Sequence, residues 1–245
     1  MNLKHSWTIA VKDLKAIRHR KSILYTLVGF PLAISFLFSY IVGYIFSAAP
    51  TTKLSDIEGL LDSFAFWFVI IAAILPSPIA SYSIVGEKVE KSLEPLLATP
   101  ATDGEILLGK CIASFFPTIL ATYASAVIYM ASTDSSLYSR AGGLYYPNSE
   151  IVVILFLLAP LTALLSIEMN VITSARVTDV RSASQLGSVL FAPFIGLYLA
   201  GEIGVIALDA ISLLAMSAIF AVLAVGMFFM SVRTFQREEI LTKWK

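Results

Sequence analysis

The sequence predicts an all-α membrane protein with six transmembrane helices. Of its 245 residues, 58% are apolar and only 14% are charged, and the apolar residues form six long runs. Ordinary soluble domains carry roughly 25% charged residues, so this chain has too little polar surface to coat a soluble globule. Composition excludes a soluble enzyme and a disordered chain, and the lone Cys111 excludes a disulfide scaffold.

The six runs lack charged residues, and each is near or above the ~20 residues that cross a bilayer core of about 30 Å. In chain order they are 22–52, 63–86, 111–133, 151–167, 182–201 and 210–232. The fourth continues to Ala175 with Glu168 as its one charge. Core helices of soluble proteins need not be this long or this continuously apolar. We therefore expect one domain in which residues 22–232 form a six-helix bundle.

Lysine and arginine are concentrated on one side of the predicted spans. Fifteen of the 17 basic residues lie in the two tails or in the second and fourth connections, whereas Lys53 and Arg140 lie on the other side. Short loops rich in these residues stay in the cytoplasm. We therefore expect a multi-pass protein of the plasma membrane with both termini cytoplasmic. The balance of 17 basic and 17 acidic residues gives no sign of a nucleic-acid partner.

Residues 1–21 carry the pattern of an amphipathic helix. Apolar residues recur there at three- and four-residue steps, at Leu3, Trp7, Ala10, Val11, Leu14 and Ile17. Lysine and arginine residues fall between them. A basic amphipathic helix that contains a tryptophan lies in the headgroup plane of a membrane. We expect this helix to lead directly into the first span.

The cytoplasmic segment 86–104 is the most unusual stretch of the chain. A helix there would carry a charged face of Glu87, Glu90, Lys91 and Glu94 and an apolar face of Val89, Leu93, Leu96 and Leu97. Pro95 disfavours helix at the residue before it, so we expect a kink, and Asp103 is predicted to cap the helix that re-enters the membrane. The residues alone leave two interpretations open: a loop resting on the membrane surface, or a docking helix for a cytoplasmic partner.

The order of residues in this segment resembles a known signature. Residues 87–100 read Glu-Lys-x-x-x-Ser-Leu-Glu-Pro-Leu-Leu-Ala-Thr-Pro, and residues 105–110 read Glu-Ile-Leu-Leu-Gly-Lys. This is similar to the segment between the second and third helices of ABC-2 type permeases. The N-terminal helix, the six spans and the tail 235–241 also fit, so the resemblance covers nearly the whole chain. Ser92 departs from the Gly-Thr of many members.

The resemblance implies the membrane subunit of an ABC transporter, most often an exporter. Residues 1–245 would form one ABC-2 type domain: an elbow helix 1–21, a bundle with coupling loop 86–104, and a tail 233–245. Such permeases pair with a second copy or a related permease and dock separate ATPase subunits, which bind the ATP and Mg²⁺. The resemblance assigns ATPase coupling to Glu87, Glu90, Ser92, Leu93, Glu94, Pro95, Leu96, Leu97, Thr99 and Pro100.

Four residues are candidates for the translocation path. In the family the second and fifth helices border the path, which implicates Ser77, Ser81 and Pro193. Glu168 is added because it lies roughly 10 Å inside the fourth run, where a carboxylate is costly without a partner or water. That partner must come from another helix, a cavity or the lipid–water boundary. Two roles stay open for Glu168: fixing helix packing, or handling substrate or protons.

Residues 104–111 resemble a P-loop, but they precede a membrane span instead of following a buried strand, so we expect no ATP hydrolysis by this chain.

Two other function classes, a membrane enzyme and an ATP-independent channel or carrier, have less support in the sequence. An intramembrane enzyme would need paired catalytic groups, and the runs carry none. A channel or carrier would show charged rings or Gly-rich half-helices in duplicated halves, and these are missing.

Two smaller features complete the predictions. Ser35, Ser39, Gly43 and Ser47 form a four-residue stripe of small residues on the first span, which favours close helix packing within the chain or between two copies. The two histidines, His5 and His19, have no clustered partner in the sequence, so no metal site is expected.

Overall fold

The computed structural model describes residues 3–49, 51, 53–86, 101–141, 143–176, 185, 189 and 191–234. Within these ranges the regular structure is helical. The α-helices are α1 (Leu3–Arg18), α2 (Lys21–Ala48), α3 (Glu58–Ile74), α4 (Pro76–Ser81), α5 (Asp103–Ala141), α6 (Ser149–Val153), α7 (Ala159–Arg176), α8 (Ala192–Glu202) and α9 (Ala210–Thr234). A 3₁₀ turn, Leu54–Asp56, precedes α3, and π-helical turns follow α4 at Tyr82–Gly86 and join α6 to α7 at Ile154–Leu158.

Five helical segments of the described residues are long and apolar enough to cross a membrane. They are Lys21–Ala48, Glu58–Ser81, Asp103–Tyr138, Ser149–Ser174 and Ala210–Arg233. These correspond to predicted runs one, two, three, four and six. The fifth run, 182–201, is described in part: the structure gives residues 185, 189 and 191–201, which include nearly all of α8. The chain is thus an all-helical, multi-pass membrane protein, and the count of six spans stays a prediction.

Prolines mark two of the places where a span departs from regular α-helix. Pro76 and Pro78 divide the second span into α3 and α4. Pro160 follows the π-helical turn Ile154–Leu158 directly. Proline lacks the N–H that a carbonyl four residues earlier would accept, so the local turn must rearrange. By contrast, α2 and α5 continue through Pro31 and Pro117.

The helix α1 is present, and one of its faces packs against the bundle, a contact that the sequence pattern does not predict. The side chains that pack against the bundle are Ser6, Ile9, Ala10, Asp13 and Ile17. Leu3 and Trp7, which were predicted to share a face with Ala10 and Ile17, are exposed. Periodicity locates a helix but cannot tell a protein-facing stripe from a lipid-facing one, because both can be apolar.

The small-residue stripe of α2 packs within the chain. The Ser35 hydroxyl donates to the carbonyl of Ser125 on α5 at 2.8 Å, and the Ser39 hydroxyl lies 3.2 Å from that of Thr133. A Cβ placed on Gly43 would lie 3.5 Å from the Ser136 hydroxyl. Three of the four stripe positions therefore face α5, which favours packing within the chain over the alternative of a dimer contact.

The helix α3 occupies the centre of the bundle. Its residues Leu61, Phe66, Val69 and Ile71 are fully buried, and it packs against α5, α7 and α8. In contrast, α2 and α9 expose many large apolar side chains, Tyr25, Phe36, Tyr40, Ile211, Val222 and Phe229 among them. In a bilayer such side chains contact lipid tails at no hydrophobic cost. The polar contacts that shape the bundle are therefore found inside and at its two ends.

At the end of α5 that is predicted to be extracellular, Asp134 holds the following connection against the bundle. Its Oδ1 accepts the backbone N–H groups of Tyr145 and Tyr146, each at 3.1 Å. The Tyr146 hydroxyl lies 3.0 Å from that of Tyr129 and donates to the Leu61 carbonyl at 3.3 Å. Burial raises the pKa of Tyr145 to about 12, so its hydroxyl stays protonated. These hydrogen bonds attach the connection to α5 and, through Tyr146, to α3.

Candidate functional site

The predicted coupling residues fall outside the described part of the chain. They are Glu87, Glu90, Ser92, Leu93, Glu94, Pro95, Leu96, Leu97, Thr99 and Pro100. The structure does describe both ends of the loop. One end is the π-helical turn Tyr82–Gly86 after α4, and the other is Ala101 and Thr102 before α5. The candidate site is built from these two ends and α1.

The first turn of α5 is closed by a reciprocal pair of hydrogen bonds. The backbone N–H of Glu105 donates to the Thr102 hydroxyl at 3.3 Å, and the backbone N–H of Thr102 donates to Glu105 Oε2 at 3.1 Å. This is a capping box, which satisfies two amides that the helix itself cannot pair. The predicted cap, Asp103, is instead the first residue of α5. The Thr-x-x-Glu spacing of residues 102–105 is the sequence signal that identifies Thr102 as the cap.

A buried ion pair connects α1 to both ends of the loop. Lys110 Nζ on α5 lies 3.5 Å from Asp13 Oδ2 on α1, with the two side chains 1% and 8% exposed. The Ser83 hydroxyl, in the turn after α4, donates to the same carboxylate oxygen at 2.6 Å. Lys110 Nζ also donates to the Ser83 carbonyl and lies 3.1 Å from its hydroxyl. We call these three residues the buried junction.

The energetics of the buried junction depend on its completeness. Removing charges from water is expensive, and the cost is offset only when each group finds partners. Here Asp13 accepts from two groups and Lys110 donates to three atoms. Deleting one partner of a buried pair typically costs 3–5 kcal/mol, because the other charge stays buried. The arrangement thus fixes how α1, α4 and α5 meet.

Close backbone contact accompanies the ion pair. A Cβ placed on Gly109 would lie 2.7 Å from the Ser6 carbonyl oxygen and 2.9 Å from the Cβ of Ile9. Only glycine lets α1 cross α5 at this distance. Beside this crossing, His5 Nδ1 lies 3.2 Å from Glu105 Oε2. His5 thus contacts a carboxylate that lies 100 positions away in the sequence.

A second contact holds the other end of α1. The Arg20 guanidinium carbon, in the link between α1 and α2, lies 3.4 Å from the centre of the Tyr82 ring. A cation over an aromatic face is attracted by the ring quadrupole. Tyr82 begins the turn that contains Ser83. This turn is therefore held by Asp13 of α1, through Ser83, and by Arg20, which follows α1, through Tyr82.

The junction residues carried little signal in the sequence. In the sequence Lys110 is one of many cations on the predicted cytoplasmic side, and nothing singles out Asp13. Two clues were present. Gly109 and Lys110 end the Glu-Ile-Leu-Leu-Gly-Lys stretch, and Asp13 shares a helical face with Ser6, Ile9 and Ile17. A buried polar stripe on an otherwise apolar face indicates a protein contact.

Two of the four candidate path residues lie in a polar seam between α4 and α7. The Ser81 hydroxyl donates to Asn170 Oδ1 at 3.5 Å, and Asn170 Nδ2 donates to the Ser166 carbonyl at 2.7 Å. The Ser166 hydroxyl donates to the Ala73 carbonyl. Ser77, one helical turn before Ser81, is buried, and its hydroxyl has no hydrogen-bond partner among the described residues. We call Ser77, Ser81, Ser166 and Asn170 the polar seam.

Glu168 and Pro193 lie elsewhere. Glu168 and Asn170 are two residues apart, so their side chains leave α7 about 160° apart. Glu168 is 5% exposed, and its Oε2 has no hydrogen-bond partner in the described parts of the chain. It borders the apolar cluster that includes Cys111, Ile167 and Val171. Pro193 is exposed near the start of α8. The structure thus brings Ser77 and Ser81 together but places Glu168 on another side of α7.

The family model described as ABC-2 type transporter matches residues 5–201 of this chain. The matched range includes nearly all of α1, the buried junction, the loop between α4 and α5, and the polar seam. No curated protein matches the chain.

Proposed function

Because the chain belongs to the ABC-2 type transporter family, we propose that it is the permease subunit of an ATP-driven exporter. The family match over residues 5–201 is the observation that carries this proposal. In this proposal the chain forms the translocation path in the plasma membrane and both termini are cytoplasmic. A second permease, either another copy or a related chain, completes the path.

The proposal assigns the energy source to a separate ATPase. This subunit would bind ATP and Mg²⁺ and dock on residues 87–100, with Glu87, Glu90 and Glu94 facing basic residues of the ATPase. Support comes from the two ends of this segment, because both meet α1 at the buried junction. If the ATPase displaces this loop, the displacement can reach the spans only when the ends of the loop are firmly attached to the helices.

The buried junction suggests how a displacement would spread. The C-terminal end of the loop continues into α5 without a break, and its N-terminal end continues through the Tyr82–Gly86 turn into α4. Asp13 and Lys110 join these two routes, so the ATPase would move α1, α4 and α5 together. The spans would then respond as a group, as rigid-body rearrangements of packed helices require.

The polar seam supports the placement of the path beside α4 and α7. Ser77, Ser81, Glu168 and Pro193 are proposed path residues, and Ser77 offers a buried hydroxyl with no partner among the described residues. The π-helical turn at Tyr82–Gly86 and the break at Pro76 weaken the backbone ladder here, which would ease a local change of shape. Glu168 would act from a different side of α7, either in packing or in handling substrate or protons.

Co-purification tests the proposal directly. The tagged full-length chain, isolated from its native membrane, should retain a P-loop ATPase in stoichiometric amount, and the complex should hydrolyse ATP in a vanadate-sensitive manner. Reconstituted vesicles that contain the complex should move substrate in response to ATP. Transport by the isolated chain without any ATPase would contradict the proposal.

A further inference from the structure

The structure divides the surface of α1 into three faces. One face, already described, packs against the bundle and contains Asp13. The second carries apolar side chains, of which Leu3 and Trp7 are exposed. The third carries the exposed cations Lys4, Lys12, Lys15 and Arg18. We call this third set the cationic face.

Two contacts with α5 fix the rotation of α1 about its own axis. The Trp7 ring lies 6.4 Å from the Phe116 ring, and His5 lies 3.2 Å from Glu105. Trp7 and His5 project about 160° apart around α1, and their partners lie roughly 16 Å apart along α5. The helix α1 therefore crosses α5 instead of running alongside it.

The depth of these contacts shows which side of α1 faces the membrane. Lys110 is the last charged residue before the uncharged run 111–133, so Phe116 lies inside the span and Glu105 lies before it. Trp7 consequently faces the hydrocarbon, and His5 faces the cytoplasm.

The position of the other two faces determines the direction in which the cationic face projects from α1. The mean direction of its four side chains lies about 180° from that of the buried face, by the 100° that separates successive helix residues. The four cations therefore project away from the bundle along the membrane surface, between the hydrocarbon side marked by Trp7 and the cytoplasmic side marked by His5. This is the level of the phospholipid headgroups.

We propose that the cationic face of α1 binds anionic phospholipid headgroups of the cytoplasmic leaflet. Charge complementarity identifies the occupant, and the adjacent exposed Leu3 and Trp7 provide the apolar anchor that such binding requires. Each lysine or arginine near an anionic surface strengthens binding by about fivefold. This inference concerns the permease chain by itself and does not depend on the ATPase.

Tryptophan quenching provides the test, because Trp7 lies beside the proposed lipid site. The substitutions Trp67→Phe and Trp244→Phe leave Trp7 as the one tryptophan of the full-length chain. This protein is reconstituted into equal mixtures of phosphatidylcholine and phosphatidylglycerol, with brominated acyl chains on one lipid or the other. We expect Trp7 to be quenched more by brominated phosphatidylglycerol, at a relative affinity of about fivefold or more at low salt. The preference should weaken as salt screens the charges.

A triple variant and a matched control assign the effect to α1. Lys4→Gln, Lys15→Gln and Arg18→Gln together should strongly weaken the preference, leaving Lys12 as the one cation of this face, while Trp7 remains quenched by both lipids. Arg233→Gln, Arg237→Gln and Lys243→Gln remove the same charge from the C-terminal region and should leave the preference unchanged. In a chain that keeps Trp67 alone, which is half-buried against Phe38 and Tyr198, the two brominated lipids should quench equally.

Several results would overturn the proposal. Equal quenching of Trp7 by the two lipids would show that the cationic face has no anionic preference. Absence of quenching by either lipid would show that α1 does not lie on the membrane. Retention of the preference in the α1 triple variant, or its equal loss in the control variant, would assign the effect to the charge of the whole protein.

Discussion

Asp13 on α1 and Lys110 on α5 form an ion pair 97 positions apart in the sequence, with both side chains buried and Ser83 bound between them. The two residues are far apart in the sequence. Together with Ser83 they link α1 to the segments on both sides of the loop between α4 and α5. The pair makes α1 part of the apparatus that holds this loop, beyond its role as a membrane-surface helix.

Removing one charge of this pair should destabilise the protein. Lys110→Met leaves the Asp13 carboxylate buried with Ser83 as its remaining described partner, at an expected cost of about 3–5 kcal/mol. Asp13→Asn should cost less, because the amide oxygen can still accept from Ser83 and Lys110. The double variant should be less destabilised than the sum of the single variants. Thermal unfolding of the purified chain in one detergent measures all three, and additive losses would show that the pair has no coupling energy.

Adding a methyl group at the helix crossing should separate α1 from α5. Gly109→Ala places a carbon 2.7 Å from the Ser6 carbonyl oxygen, which is backbone and cannot turn aside. Overpacking of this kind costs about 1–3 kcal/mol. The matched control is Gly104→Ala in the first turn of α5, where the added carbon meets nothing within 4 Å. Unfolding temperature should fall for Gly109→Ala and hold or rise for Gly104→Ala. Equal behaviour of the two variants would refute the close crossing.

Reversing a charge in the loop should prevent docking of the ATPase. Glu94→Lys is expected to weaken co-purification of the ATPase by at least about tenfold, equivalent to ~1.4 kcal/mol, because it places like charges together. Insertion into the membrane should be unaffected. Glu150→Lys, on the opposite side of the predicted bilayer, makes the same change in charge and should retain the ATPase. Normal binding and transport by Glu94→Lys would contradict the assignment of this loop.

Neutralising Glu168 should show which of its two proposed roles is correct, helix packing or the handling of substrate or protons. Glu168→Gln keeps the shape of the side chain, and Oε2 has no hydrogen bond among the described residues to lose. We expect stability within about 1 kcal/mol of the parent, as for isosteric changes, together with impaired ATP-driven transport by the assembled complex. Unfolding temperature and transport rate in vesicles provide the two readouts. If transport and its pH profile stayed unchanged, Glu168 would be a packing residue.

The sequence was sufficient for features that depend on composition along the chain. Long uncharged runs specify spans wherever they occur, so five of them match helices of the structure, and the three- and four-residue periodicity located α1. It was insufficient for contacts between distant segments. The buried face and the exposed apolar face of α1 have similar compositions. Only the position of α5 shows that Ile9 is buried against protein whereas Trp7 is exposed. Likewise, Lys110 and Asp13 each look like an ordinary cytoplasmic charge until the two helices cross.

The same reasoning explains the outcome for the candidate path. Ser77 and Ser81 lie one helical turn apart, so their common face could be predicted from spacing alone. Their partner Asn170 could not, because asparagine within a span gives no indication of which helix it faces. Glu168 was grouped with them for its chemistry, although its position on α7 directs it to a different neighbour.

The length of α5 has a mechanical consequence. Its 39 residues extend for roughly 58 Å, nearly twice the hydrocarbon thickness of a bilayer, as one uninterrupted helix. One end carries Lys110 and the loop, and the other carries Asp134 with the folded connection that contains Tyr145 and Tyr146. A tilt of about 5° at one end of such a rod displaces the other by about 5 Å. A small rotation of α5 at the end that carries Lys110 would therefore displace the connection held by Asp134 by several ångströms.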